Sequence, residues 1–445
     1  MTATDDPAFR AHADRAVALH RAGDLADAEA EYRAALRISP EIPALLHNLG
    51  ALLAARGETD EALALFDRLV ALQPSYASAH FNRASALRAT GRDAEAIAAY
   101  RTVVALEPDH IDAHRTLGFL WLAAGKRGRA LDHFARTYEL RRGDDRMGSA
   151  ALSLRTATRE KLEHDAALFR HLPPRARDGR RFETMARAYE AVASEIGDGV
   201  VELTDAQIDT LGEGYNGPVR LAEAPELPGG AVSPDLDTAG IVREFRVTTP
   251  GCARVTGLLN LRALALLRRF LLESTIWHDF AHIPGFVASY LEDGLACPLV
   301  LQIADEFRAA LPGLLGPHPL TQAWAFKGLR GTEPIDVHAD DAAISLNFWV
   351  TPDTANRVPG RGGLVVYPDP PPADWDLVDY DADRARIRAF LAGHEDRKLT
   401  IPYGENCGVL FESRLFHGSD SPDFAEGYEN RRINITMLFG NAKAM

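Results

Sequence analysis

The sequence predicts a multidomain α + β protein: an N-terminal α-solenoid, then a C-terminal jelly roll with flanking helices. Three observations predict this. The first third of the chain repeats itself with a period of 34 residues. The second half carries short segments of alternating polarity separated by Gly- and Pro-rich loops, the mark of strands. Late strands with flanking helical patterns suggest a jelly-roll sheet pair with helices packed outside. At 445 residues the length suits about three domains. Boundaries are expected at 1–145 for the repeat array, 146–212 for a helical connector and 213–445 for the β-domain.

In the first region, Gly23, Gly57, Gly91 and Gly125 keep the 34-residue step. So do Ala28, Ala62, Ala96 and Ala130, and Tyr32, Phe66, Tyr100 and Phe134. Pro40, Pro74 and Pro108 close three of four units, and Arg142 stands at the fourth such position. The physics of a helix pair accounts for each residue type. Glycine ends the first helix, alanine lets the second pack closely, the aromatic fills the gap and proline stops the second helix. The pattern resembles the tetratricopeptide repeat. That resemblance implies a concave surface for a peptide or protein. Asn48 and Asn82 share one position in successive repeats and are candidates to hold an extended peptide, while repeat four has Thr116 there.

The connector predicts helices over about 150–169 and 182–196, separated by Leu172-Pro173-Pro174. Its basic run of Arg170, Arg175, Arg177, Arg180 and Arg181 reads as a solvated or salt-bridged surface. A nucleic-acid patch would interleave aromatics within a basic domain.

In the last half, strands are predicted over 322–326, 344–350, 363–367, 408–411 and 432–439. Helices are predicted over about 261–280, 286–311 with a possible break, and 381–391. Four His-x-Asp pairs occur, at 12/14, 110/112, 338/340 and 394/396. Composition alone gives about two, so context must separate them. The first two lie in the repeats and the last follows a helix. His338/Asp340 stands just before the alternating strand Ile344-Ser-Leu-Asn-Phe-Trp-Val350. His417 follows a later strand and supplies a third ligand, completing the two-histidine, one-carboxylate set suited to non-haem Fe(II). Arg432, Asn434 and Thr436 fall on one strand face, with Ile433, Ile435 and Met437 on the other. A polar face inside an apolar domain is expected to line a cavity, where Arg432 suits a carboxylate.

Together, His338-x-Asp340, His417 and Arg432 fifteen residues later resemble the Fe(II)/2-oxoglutarate-dependent dioxygenases. Gly362-Gly363-Leu-Val-Val-Tyr367 resembles a strand of their prolyl-hydroxylase-like or phytanoyl-type members. The resemblance covers about residues 215–445 and implies a double-stranded β-helix core. It implies iron on His338, Asp340 and His417, 2-oxoglutarate on Arg432, O₂ as oxidant and ascorbate as a candidate reductant. Asn347 is a further candidate for the co-substrate. Asp340 stands where halogenases of the family carry a small residue, which implies hydroxylation of an unactivated C–H bond. A tetratricopeptide array suggests a peptide or protein substrate. A small-molecule substrate and a non-catalytic scaffold with a jelly-roll binding domain are the alternatives.

Two further features bear on function. His278 and His282 in Trp277-His-Asp-Phe-Ala-His282 are expected on a helix at i, i+4, a spacing that could grip a metal. Asp279 stands where the zinc-protease motif needs Glu, and a structural pair is the favoured expectation. The 368–393 segment, with Pro368, Asp369, Pro370, Pro371, Pro372, Trp375 and Tyr380, is expected to be either a lid or a packed insertion.

Composition removes other classes. The formal charge is −14, which opposes broad adhesion to nucleic acid or anionic membrane. A nucleic-acid demethylase would need steeply salt-dependent binding that this charge disfavours. The three widely spaced cysteines, Cys252, Cys297 and Cys407, form no disulfide framework and no CxxC site. They suit a reducing cytoplasm. The N-terminus lacks the apolar stretch of a signal peptide, and no segment reaches the ~20 apolar residues of a membrane span.

Overall fold

The computed structural model describes residues 6–143, 155–172, 179–212, 214–248, 250–330, 334–372, 375, 384–394 and 396–441. The chain divides into two compact units, Met1–Trp121 and Leu122–Met445.

The first unit is helical. Helices α1 (Pro7–Ala22), α2 (Leu25–Ile38), α3 (Pro43–Ala55), α4 (Thr59–Leu72), α5 (Ala77–Ala89) and α6 (Asp93–Leu106) form successive pairs, and α7 (Ile111–Ala123) spans the unit boundary. The periodic residues do what their types allow. Gly23, Gly57 and Gly91 adopt φ of +87°, +80° and +73°, a left-handed conformation that turns the chain between paired helices. Ala28, Ala62 and Ala96 are fully buried, and Tyr32, Phe66 and Tyr100 fill the core beside them. Close packing is also needed at Gly50, where a Cβ would stand 2.7 Å from the Phe66 ring.

The second unit opens with α8 (Arg127–Arg142). Arg142 is buried and pairs through two hydrogen bonds with Asp293, which gives a structural use to the residue that replaces the fourth proline. Strand β1 (Thr156–Ala157) pairs with β2 (Val201–Glu202), and between them lie α9 (Arg159–His171) and α10 (Gly179–Glu195). Thr158 caps α9 by accepting from the Lys161 N–H. Arg170 pairs with Glu183 and Glu190 of α10, so this part of the basic run is neutralised within the connector. Arg175 and Arg177 lie outside the described residues. Helix α11 (Asp205–Leu211) starts at a capping box formed by Thr204 and Gln207.

Then come α12 (Thr238–Val247), β3 (Cys252–Thr256), α13 (Leu261–Glu273), β4 (Phe286–Tyr290), α14 (Pro298–Ala310), β5 (Leu320–Gly328), β6 (Ile344–Trp349), β7 (Leu364–Val366), α15 (Arg384–Leu391), β8 (Leu399–Ile401), β9 (Cys407–Glu412), β10 (His417–Ser419) and β11 (Ile433–Phe439). Six strands form one antiparallel sheet in the order β3-β9-β6-β11-β5-β4, and three form a smaller one, β10-β7-β8. Both sheets are open, so the expectation of a jelly roll resolves here only as a β-rich region with flanking helices.

Two predicted helices are corrected. The stretch 286–311 is not one helix: Phe286–Tyr290 is a buried strand, and α14 begins only at Pro298. A short apolar run suits a buried strand and a buried helix equally, so periodicity could not separate them. The helix from Leu261 ends at Glu273, before Phe280. Ser274 Oγ accepts from the Ala222 N–H, and Thr275 exchanges bonds with Arg220 through both its backbone and its hydroxyl. These bonds to a distant segment replace the helical ones.

Candidate metal centre and co-substrate pocket

The triad is built by pairing an irregular segment at His338 with the start of β10. The His338 N–H donates to the His417 carbonyl at 2.9 Å, and the His417 N–H donates to the His338 carbonyl at 2.8 Å. Directly opposed residues in an antiparallel bridge place their side chains on the same face. The two rings are accordingly 4.3 Å apart between centroids. Asp340, two residues on, returns to that face because side chains alternate. Its N–H donates to the Ser413 carbonyl, extending the pairing.

One ligand atom from each of His338, Asp340 and His417 lies within 4.8 Å of the others. Among the described residues no other group of three His, Cys, Asp or Glu side chains converges in this way. His338 Nε2 is 3.9 Å from Asp340 Oδ1, and His417 Nε2 is 3.6 Å from Asp340 Oδ2. The opposite ring nitrogens are engaged: His338 Nδ1 donates to the Asp336 carbonyl at 2.9 Å, and His417 Nδ1 to the Leu415 carbonyl at 3.0 Å. A carbonyl only accepts, so each Nδ1 carries a proton and each Nε2 is the ring nitrogen that faces Asp340. Burial, helped by the neighbouring His338, pushes the His417 imidazole down to about 4, so it is neutral at physiological pH. Ser345 Oγ donates to Asp340 Oδ2 at 2.7 Å and also contacts Ser413 Oγ, fixing the carboxylate.

These donors fit a divalent transition metal such as Fe(II): two imidazole Nε2 atoms, one carboxylate and outer partners that orient each. Asp340 and His417 are buried, while the His338 side chain is 31% exposed, which leaves the site open on that side.

A small cavity adjoins the two histidines, with His338, His417, Asn347, Arg432, Asn434 and Thr436 in its wall. The register explains the grouping. Thr436 is opposite Asn347 on β6 and Trp324 on β5, and Asn434 is opposite Trp349 and Phe326. These side chains therefore share one sheet face, while Ile433, Ile435 and Met437 pack on the other.

Arg432 is 3% exposed. Its Nε donates to the Gly362 carbonyl at 2.7 Å, Nη2 to the Gly363 carbonyl at 3.3 Å and Nη1 to Asn434 Oδ1 at 3.1 Å. The Gly-Gly pair thus holds the guanidinium. Gly362 has φ +80°, and a Cβ on Gly363 would stand 2.0 Å from the Ile401 carbonyl oxygen. Burial lowers the guanidinium to about 10, still charged at neutral pH. Among the described residues no carboxylate lies within ion-pair distance of it, and three protein bonds occupy only part of its five donors. Asn347 Nδ2 contacts Thr436 Oγ1 at 3.0 Å, and its amide oxygen is buried with no hydrogen-bond partner.

The other expected sites separate from this centre. His278 and His282 do not lie on a helix. His278 is buried and its Nε2 is 3.0 Å from the Tyr138 hydroxyl, which also donates to the Thr275 carbonyl. His282 is exposed, and Asp279 accepts from its N–H while taking a hydrogen bond from the Tyr290 hydroxyl. Of the remaining His-x-Asp pairs, His12 pairs with Glu31, His110 Nδ1 caps the Ala113 N–H, and His394 stacks on Phe390. In the first unit the Asn82 amide is 3.0 Å from His47 Nε2, whose Nδ1 is 3.4 Å from Asn48 Oδ1, so both asparagines join one side-chain chain. Sequence reading missed Ser345 and Ser413 as orienting groups. Only the alternation of β6, which puts Ser345 on the face of Asn347, hinted at the first.

Comparison with known proteins bears on the first unit. A family model described as the tetratricopeptide repeat matches residues 2–42 and 47–111. The N-terminal region is therefore an array of such repeats. A MamA double mutant is 24% identical over 31% of this chain and 78% of its own, with a TM-score of 0.30. YrrB, described as a tetratricopeptide protein with an unusual peptide-binding site, is 24% identical over 31% and 70%, with a TM-score of 0.29. Another MamA structure is 20% identical over 42% and 91%, also at 0.29. No curated protein matches the chain.

Proposed function

We propose that this protein is an Fe(II)- and 2-oxoglutarate-dependent dioxygenase that hydroxylates an unactivated C–H bond of a peptide or protein recruited by its repeats. The observation that carries the reading is a set of three convergent ligand atoms, on His338, Asp340 and His417, beside a pocket that both histidines share with the buried Arg432 guanidinium, which has no carboxylate partner among the described residues. On this reading the array occupies 1–145, a helical connector 146–212 and the oxygenase domain 213–445, with the two open sheets as the halves of a double-stranded β-helix.

His338, Asp340 and His417 would hold the metal on one face, leaving the opposite face to the co-substrate, O₂ and the substrate bond. Iron and 2-oxoglutarate held there would supply the oxidising power, with O₂ giving one oxygen atom to the substrate and the other to succinate, and CO₂ as the leaving group. The residues of this chain bind and orient. Arg432 would receive the distal carboxylate of 2-oxoglutarate through its remaining N–H groups. A flip of the Asn347 amide lets the Thr436 hydroxyl donate to Oδ1 and turns Nδ2 towards the cavity, giving a second donor for a carboxylate. Trp324 and Phe326 supply an apolar wall that limits water beside the reacting bond.

A non-catalytic scaffold is the second reading, favoured by the repeat array itself. Anaerobic titration with Fe(II) and 2-oxoglutarate separates the two. The enzyme reading expects a visible metal-to-ligand charge-transfer band that vanishes in His338→Ala. Absence of a band in the wild type, with no succinate formed in any extract, leaves the scaffold. A 16 Da mass gain, one oxygen atom, on peptides retained by His417→Ala and then exposed to the wild type would distinguish a polypeptide from a small-molecule substrate.

A further inference from the structure

We propose that Trp375 and α15, in the insertion between β7 and β8, form a buttress that positions the two histidines of the metal centre; the inference rests on the metal-centre reading above. Alternation along an extended chain carries the argument. The neighbours of the ligands face away from the centre: Val337 and Ala339 flank His338, and Phe416 precedes His417. All three pack in one apolar cluster with Phe390 and Leu391 of α15 and with Trp375. Phe416 is fully buried there, with ring centroids 5.9 Å from Phe390 and 6.3 Å from Trp375. The insertion therefore grips the outer side of the same two segments whose inner side presents the ligands.

A second link is polar. Arg384 and Arg388 of α15 both reach the Asp336 carboxylate, at 2.9 and 3.4 Å. The carbonyl of that same Asp336 accepts the His338 Nδ1 proton. Exposed ion pairs of this kind are weak on their own, so the apolar cluster does most of the holding and the pairs set its register.

Hydrogen exchange read by mass spectrometry on the full chain tests this, alongside Co(II) titration. Phe416→Ala, Trp375→Ala and the double variant Arg384→Ala/Arg388→Ala are compared with wild type. Exchange in segments 336–340 and 413–419 is expected to rise at least about tenfold in the first two, with α1–α6 unchanged. Co(II) affinity should fall about 10–100-fold, with an altered Co(II) absorption spectrum, and Phe416→Leu should restore both. If Phe416→Ala fails to fold, Trp375→Ala at the half-buried edge carries the test. Wild-type exchange and Co(II) affinity in Trp375→Ala and in the double variant would overturn the buttress. If the wild type takes up no Co(II), the metal reading falls, and the exchange rates still decide whether the insertion holds the two histidine segments.

Discussion

His338 and His417 are direct cross-strand partners, each donating its backbone N–H to the other's carbonyl, at 2.9 and 2.8 Å. Their rings meet because the backbone bridge puts both on one face. The bridge is independent of the side chains, so His338→Ala and His417→Ala should keep the fold while removing a ligand. Each is expected to weaken Co(II) or Fe(II) binding by 100-fold or more, well beyond the ~10–100-fold of an outer-partner change. Isothermal titration gives the affinity, and circular dichroism checks the fold.

Ser345→Ala leaves Asp340 without its hydroxyl donor and frees the carboxylate to rotate. The expected result is a metal affinity lower by about 10–100-fold with all three ligands still present. Ser345→Thr, which keeps a hydroxyl, should recover part of it. Unchanged affinity in Ser345→Ala would show that the carboxylate is held by its backbone alone.

Gly363→Ala would drive a Cβ into the Ile401 carbonyl, 2.0 Å away, and push β7 from β8. The Gly363 carbonyl also receives Arg432 Nη2, so the damage reaches the guanidinium. Destabilisation of about 1–3 kcal/mol is expected, as for other overpacked cores. Binding of 2-oxoglutarate should weaken with it, measured by fluorescence or calorimetry.

Lys327 is fully buried on the sheet face opposite the cavity, and its Nζ has no hydrogen-bond partner. Nζ lies 3.1 Å from the centroid of the Tyr428 ring. A desolvated cation–π contact returns about 2 kcal/mol, whereas desolvating an ammonium costs several. Burial accordingly holds the amine well below its usual range. The unfolded chain binds a proton here below about 10.5, and the folded chain resists it. Stability from this group is full above that pH and is lost as pH falls towards the folded value. Lys327→Met should therefore raise stability at neutral pH by about 1–4 kcal/mol and flatten its alkaline dependence, read from melting curves between pH 7 and 10. A lower melting temperature at pH 7 would contradict this.

Asp293→Ala removes the carboxylate that pairs with the buried Arg142 guanidinium at the end of α8. Loss of one partner of a buried pair costs about 3–5 kcal/mol. The second unit's transition in calorimetry should drop accordingly, while that of the repeats stays in place.

Features that depend on local repetition are legible in the residues alone. Glycine at a left-handed φ, alanine at a close approach and an aromatic in the gap recur every 34 residues, so each helix pair is specified by its own residues. The same holds for β11, whose alternation of Arg432, Asn434 and Thr436 with Ile433, Ile435 and Met437 already separates its two faces. The tertiary structure decided what depends on distant partners. Ser274 and Thr275 end α13 by bonding Ala222 and Arg220, a competition that no local pattern records. Strand β4 reads as helix until β5 pairs with it, because a five-residue apolar run has no period of its own. The same division runs through the candidate centre. Its three ligand types were legible from the spacing of residues 338, 340 and 417, but their convergence was not. That required the backbone bridge between His338 and His417 and the Gly362-Gly363 carbonyls on Arg432, each joining segments far apart in the chain, together with the nearby Ser345 hydroxyl on Asp340.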